Sequence, residues 1–149
     1  MDLILWRHAD AENSIPDRER KLTPEGREQA ERVAKWLTGR LPDTYRVLAS
    51  PARRAQETAV ALTSRFETVE ALAVGASAEA VLQAAGWSDG GDKLVIVVGH
   101  QPTLGETAML ALTGHAASLD LAKGALMWLR RNAPRNEVSV RAAISPELL

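Results

Sequence analysis

Apolar positions along this chain fall into two spacings that alternate: short unbroken runs, and stripes repeating every three or four residues. Leu3–Trp6 is apolar without alternation, the pattern of a strand covered on both faces. Residues 11–22 are polar and charged and read as a loop. Thr23 then offers an N-cap and Pro24 a first helical position, and Ala30, Val33, Ala34, Leu37 and Leu41 form one apolar stripe before Pro42-Asp43. Arg46–Ala49 reads as a second strand. Ser50-Pro51 repeats the cap-plus-proline start of a helix whose buried face is Ala55, Ala59, Leu62 and Phe66. Val69–Leu72 is expected as a third strand, and Ser77 as the cap of a short helix with Val81, Leu82 and Ala85 inward and Gly86 at its end. Leu94–Val98 is the clearest strand. A helix follows from Pro102 through Leu104, Ala108 and Leu112 to Gly114. Ala125–Leu129 and Val138–Ala142 read as two strands joined as a hairpin.

Composition narrows the class. A chain of 149 residues, 46% hydrophobic and 25% charged, is expected to form one domain over residues 1–149 with a core that needs no disulfide or metal. A net charge of −1 argues against a general nucleic-acid binder. No run has membrane-spanning length, and the start Met1-Asp2 lacks the basic and long apolar regions of a signal peptide, so the cytoplasm is expected. The absence of cysteine excludes disulfides and thiol nucleophiles.

Candidate chemistry gathers where strands end. Arg7-His8 follows the first strand, Ser50 to Arg54 the second, and His100 the run Leu94–Gly99. Ligands of open α/β sheets bind outside the carboxyl ends of the strands, so these residues are expected to converge. Guanidinium forks match phosphate, and a neutral imidazole can attack it. Helical spacing leaves open whether Arg53 or Arg54 faces such a pocket.

Arg7-His8-Ala9, Leu22 to Gly26 with Gln29-Ala30, Ser50-Pro51, Arg54-Ala55, Thr58 and Val98-Gly99-His100 resemble, in that order and spacing, the histidine phosphatase (phosphoglycerate-mutase-like) superfamily. Ala9, where that superfamily usually has glycine, points to its SixA-type phosphohistidine phosphatase branch. The resemblance implies a three-layer α/β/α sandwich with a mostly parallel sheet and an antiparallel C-terminal element. It also implies His8 as covalent nucleophile, with Arg7, Arg54 and His100 as the phosphate pocket. Neither cofactor nor metal is implied. The expected partner is a phosphohistidine-bearing protein of a signalling or phosphotransfer system.

Larger members protonate the leaving group with an acidic residue, for which this chain offers Glu79 or Asp10; both remain open. Glu79 in a first helical turn is also explained by the helix dipole. A leaving imidazole titrates near about 6.5 and depends less on an acid than an alkoxide does. The connections after Phe66 and Gly114 are too short for a large lid, so an open site is expected. Thr58 is read as support beneath the site, and His115 as structural. Arg18, Arg20 and Lys21 are either a grip on an acidic partner or a solvated loop. A small phosphomonoester as substrate, and a phospho-binding module without turnover, are the alternatives.

Overall fold

The computed structural model describes residues 1–149. Six strands, β1 (Asp2–Arg7), β2 (Arg46–Ala49), β3 (Glu67–Thr68), β4 (Leu94–Gly99), β5 (Leu126–Asn132) and β6 (Glu137–Ile144), form one sheet in the order β3-β2-β4-β1-β5-β6. The pairs β3–β2, β2–β4 and β4–β1 are parallel; β5 runs antiparallel to β1, and β6 to β5. Four helices complete the chain: α1 (Pro24–Thr38), α2 (Arg53–Leu62), α3 (Ala78–Ala84) and α4 (Thr103–Thr113).

The unbroken apolar runs are explained by two cores, one on each face. Ile4, Trp6, Val47, Ala49, Ile96 and Val98 point to one side, against Val33 and Leu37 of α1 and Ala55 and Ala59 of α2. Their neighbours Leu3, Leu5, Leu48, Val95 and Val97 point to the other, against Val81 of α3 and Leu104 and Ala108 of α4. Successive strand residues face opposite ways, so a strand between two helical layers must be apolar throughout. The result is the expected three-layer α/β/α sandwich with its antiparallel C-terminal hairpin.

Four local expectations need correction. Leu41 lies beyond α1, which ends at Thr38, and packs on the core from the following turn. Residues 69–72 are not the third strand: β3 is only Glu67–Thr68, and Glu70–Leu72 forms a 3₁₀ turn. That turn drives Leu72 into the core from the sheet edge, where a strand would have needed both faces covered. The second helix begins at Arg53, two residues after Pro51, with Ala52 at its N-cap position and no side-chain cap; Ser50 Oγ accepts instead from Ala52 N–H. Phe66 lies beyond the end of α2 and packs on the core from the following segment.

At the end of the sheet away from the strand carboxyl termini, the buried carboxylate of Asp2 collects four N–H donors from three side chains, Arg130 giving a second through Nη2 (2.9 Å). Trp128 Nε1 (2.8 Å), Arg130 Nε (2.7 Å) and Arg141 Nη1 (3.1 Å) all reach it, tying β1 to the hairpin. Burial works against its charge, yet these hydrogen bonds outweigh it and hold the carboxyl below its ordinary value.

Candidate active site

The order β2-β4-β1 makes Ser50, His100 and His8 follow three adjacent parallel strands. Each continues its ladder by one bond or borders it: Ser50 N–H donates to Val98 O (3.0 Å) and His8 N–H to Gly99 O (3.0 Å). The segment before β5 closes the other side of His8. Its Gly124 N–H donates to His8 O (3.1 Å), and Gly124 O accepts from Trp6 Nε1 (3.0 Å). His8 is thus held on both backbone groups, and the two histidine rings lie 5.2 Å apart, centroid to centroid.

The tautomer of His8 follows from its partners. Nδ1 lies 2.8 Å from Ala9 O, and a carbonyl can only accept, so Nδ1 carries the proton. Nε2 therefore presents a lone pair, toward which Arg54 Nε donates at 3.3 Å. Burial, more than the neighbouring His100, Arg54 and Arg7 charges, pushes the His8 pKa down to about 3 against the pull of the Ala9 carbonyl. The ring is neutral at pH 7, as attack requires.

Arg54 is buried with 3% of its surface exposed, in the first turn of α2, which settles which arginine of the pair faces inward. Arg53 instead pairs with Glu57 at the surface. Beneath them Thr58 accepts from Ala9 N–H (3.0 Å) and donates to Arg54 O (2.7 Å), locking the residue after His8 to the helix that carries Arg54. Arg7 donates through Nη1 to Leu121 O (2.7 Å), while its Nε is buried without a partner. Leu119, in the same segment, is held by Gln101 Nε2 and by close approach to α4. A Cβ on Gly105 would sit 1.7 Å from Leu119 O, so only glycine fits there.

His100 is 4% exposed, with Nε2 2.7 Å from Ser50 Oγ and Nδ1 unpartnered. Burial and the Arg54 charge lower its pKa to about 4, so it too is neutral at pH 7. One residue that sequence reasoning passed over joins the site from the 11–22 loop. Asp17 accepts from Arg54 with its carbonyl (2.8 Å from Nη1) and its carboxylate (3.1 Å from Nη2), and also pairs with Arg20. Although burial opposes its charge, these hydrogen bonds hold Asp17 below the ordinary carboxylate range. A recess of about 160 Å³ beside the site is lined by Asp17, Arg18, Ser50, Pro51 and Val74.

The two candidate acids lie differently. Asp10 is engaged at both oxygens, by Lys123 Nζ (2.7 Å) and Thr23 Oγ1 (2.7 Å), and these bonds keep it ionised. Its backbone carbonyl abuts Gly26, where a Cβ would come within 2.0 Å, so this residue also seats the start of α1. Glu79 is exposed on α3 and lines a separate groove with Leu82, Gln83, Ser88 and Asp89, none of them a site residue. Of the basic loop residues, Arg18 pairs with Glu70 and Lys21 with Glu12.

Two histidines and Arg7 at the ends of adjacent parallel strands, with Arg54 in the first turn of α2, accompany a match of residues 3–74 to the model of the histidine phosphatase superfamily (branch 1). The chain belongs to the histidine phosphatase superfamily, and its enzyme class is phosphatase. An uncharacterized protein of Picosynechococcus sp. is 33% identical over 147 residues, covering 91% of this chain and 88% of that protein. Among solved structures, the protein histidine phosphatase SixA complexed with tungstate superposes with a TM-score of 0.83 at 23% identity, over 99% of both chains. A candidate phosphohistidine phosphatase SixA from Nakamurella multipartitia gives 0.82 at 24%, over 97% of this chain and 95% of that one. The same fold extends to a phosphoserine phosphatase from Entamoeba histolytica, with a TM-score of 0.72 at 17% identity, over 99% and 98% of the two chains. No helix of the chain is long and apolar enough to cross a membrane.

Proposed function

We propose that this phosphatase belongs to the SixA-type branch and acts through a phosphoryl group carried covalently on His8. Its substrate in this reading is phosphohistidine in a signalling or phosphotransfer protein. The observation that carries the mechanism is the bare Nε2 of His8, neutral at pH 7 and facing a buried guanidinium. Nε2 attacks phosphorus; the substrate imidazole, protonated from solvent on its far ring nitrogen, keeps the electron pair of the breaking P–N bond and leaves as the neutral ring. Water then attacks the phosphoryl group on His8, releasing inorganic phosphate and returning Nε2 to its starting state. Arg54, Arg7 and His100 stabilise the charge on the equatorial oxygens, the main demand of phosphoryl transfer. No step calls on a metal ion.

Substrate class rests on the acids. Asp17 and Asp10 are both held ionised, so neither offers a proton near pH 7. A leaving imidazole, with a pKa of about 6.5, tolerates that far better than an alkoxide. The tungstate complex of the SixA structure, an anion of phosphate shape, supports the same branch.

The test is phosphate release from a phosphohistidine-bearing phosphotransfer domain beside an aryl phosphate, in chelator, for the parent and His8→Ala. Rapid His8-dependent release from phosphohistidine with little from the ester supports the proposal. Faster release from the ester replaces it with a small-molecule phosphomonoesterase, and binding without turnover on either replaces it with a phospho-binding module.

A further inference from the structure

His100 and Ser50 form a pair whose hydrogen-bonding possibilities are nearly exhausted by their surroundings. Ser50 is fully buried at the turn between β2 and α2, and its Oγ accepts from Ala52 N–H at 3.2 Å. The other group within reach of that oxygen is His100 Nε2, at 2.7 Å. A hydroxyl has one proton and two acceptor sites. If His100 carried its proton on Nε2, the hydroxyl would have to accept it and its own proton would be stranded in a buried site. The opposite assignment strands nothing between the two residues: the hydroxyl donates to a bare Nε2, and the imidazole proton moves to Nδ1. That nitrogen is buried and without a protein partner.

We propose that Ser50 is a positioning residue that fixes His100 in its Nδ1–H tautomer, so that the unpartnered N–H is the donor offered to a phosphoryl oxygen. The inference rests on the phosphatase reading only for its use, not for its structure. In the other tautomer His100 would turn a lone pair toward an anion and repel it. Donating to His100 leaves the acceptor sites of the hydroxyl free, and one of them takes the Ala52 N–H just ahead of α2, which starts at Arg53 with no side-chain cap. A residue that orients a ligand-binding imidazole through its far nitrogen changes function by about 10–100-fold when removed from comparable metal sites; a similar loss is expected here.

The experiment is long-range ¹H–¹⁵N NMR of the histidine rings in the full chain, with and without tungstate, for the parent, Ser50→Ala and Ser50→Thr. The parent is expected to show His100 protonated on Nδ1, with that proton shifting on tungstate binding. Ser50→Ala is expected to lose the single tautomer and to bind tungstate roughly ten-fold or more weakly, and Ser50→Thr to restore both. Should the threonine variant fail to fold, the alanine variant decides alone. An Nε2-protonated His100 in the parent overturns the proposal, as does an Ala variant with unchanged tautomer and tungstate affinity. The ring assignment needs no turnover, so it stands or falls separately from the substrate class.

Discussion

Arg54 Nε lies 3.3 Å from His8 Nε2 and donates toward the lone pair that the Ala9 carbonyl leaves free on that ring. One guanidinium thereby marks the attacking atom and stands ready to follow the charge onto the phosphoryl oxygens. A lysine keeps the charge and loses the planar fork. Arg54→Lys is expected to lower kcat/KM by about 10²–10³-fold, in line with the loss of one preorganised transition-state donor. Steady-state kinetics on a phosphohistidine protein reads this directly; a drop of less than about three-fold would mean that charge alone suffices.

Asp17 occupies Arg54 through both its carbonyl and its carboxylate, so an incoming anion meets a carboxylate already seated on the pocket. Removing that charge while keeping the backbone contact should favour anions. Asp17→Asn is expected to lower the inhibition constant of tungstate by about five- to ten-fold at low salt, with a smaller change at high salt, where exposed charges are screened. Unchanged or weaker inhibition would show that Asp17 orders the pocket more than it competes for it.

Acid stability follows from the two histidines. Their folded pKa values are lowered to about 3 and about 4, against about 6.5 for an unfolded imidazole. Below pH 6.5 the unfolded chain binds protons that the folded site refuses, so stability present above that pH falls as the solution is acidified toward the folded values. Urea midpoints measured between pH 7 and pH 5 are expected to fall more steeply for the parent than for His8→Ala or His100→Ala. Parallel slopes would contradict the burial of these rings in neutral form.

Asp2 makes a stability prediction remote from the site. Asp2→Ala leaves Trp128 Nε1 buried without an acceptor and two guanidinium groups facing each other. Because both arginines are about 40% exposed, the cost is set mainly by the orphaned indole and the lost charged hydrogen bonds. It is expected near 3 kcal/mol, about the scale for such groups. Denaturant unfolding of the variant measures it, and catalytic constants of the surviving folded enzyme should be unchanged.

The strands that carry the site were legible because burial on both faces writes itself as unbroken apolar runs. Leu3–Trp6 and Leu94–Val98 could be read directly, and with them the places of His8 and His100. Arg54 was separable from Arg53 only through resemblance, since adjacent helical residues share no spacing signal. Asp17 could not be read, because its reach to Arg54 spans a polar loop with no periodicity. Ser50-Pro51 reads as a helix cap because a serine before proline has that local preference, whereas its contact with His100, fifty positions away, leaves no local signal. The brief 3₁₀ turn at Glu70–Leu72 was hidden for a similar reason, since Val69 and Leu72 are apolar whether they enter the core as a strand or as a turn.

The covalent step on His8 is the centre of the account, and rapid quenching tests it most directly. Parent enzyme mixed with a radiolabelled phosphohistidine domain and quenched in alkali should carry label on His8, identified by peptide mapping and lost on acid treatment. His8→Ala should carry none, and labelled inorganic phosphate should follow the phosphoenzyme in time. Phosphate released by the parent without label on His8, or label persisting in His8→Ala, would contradict it.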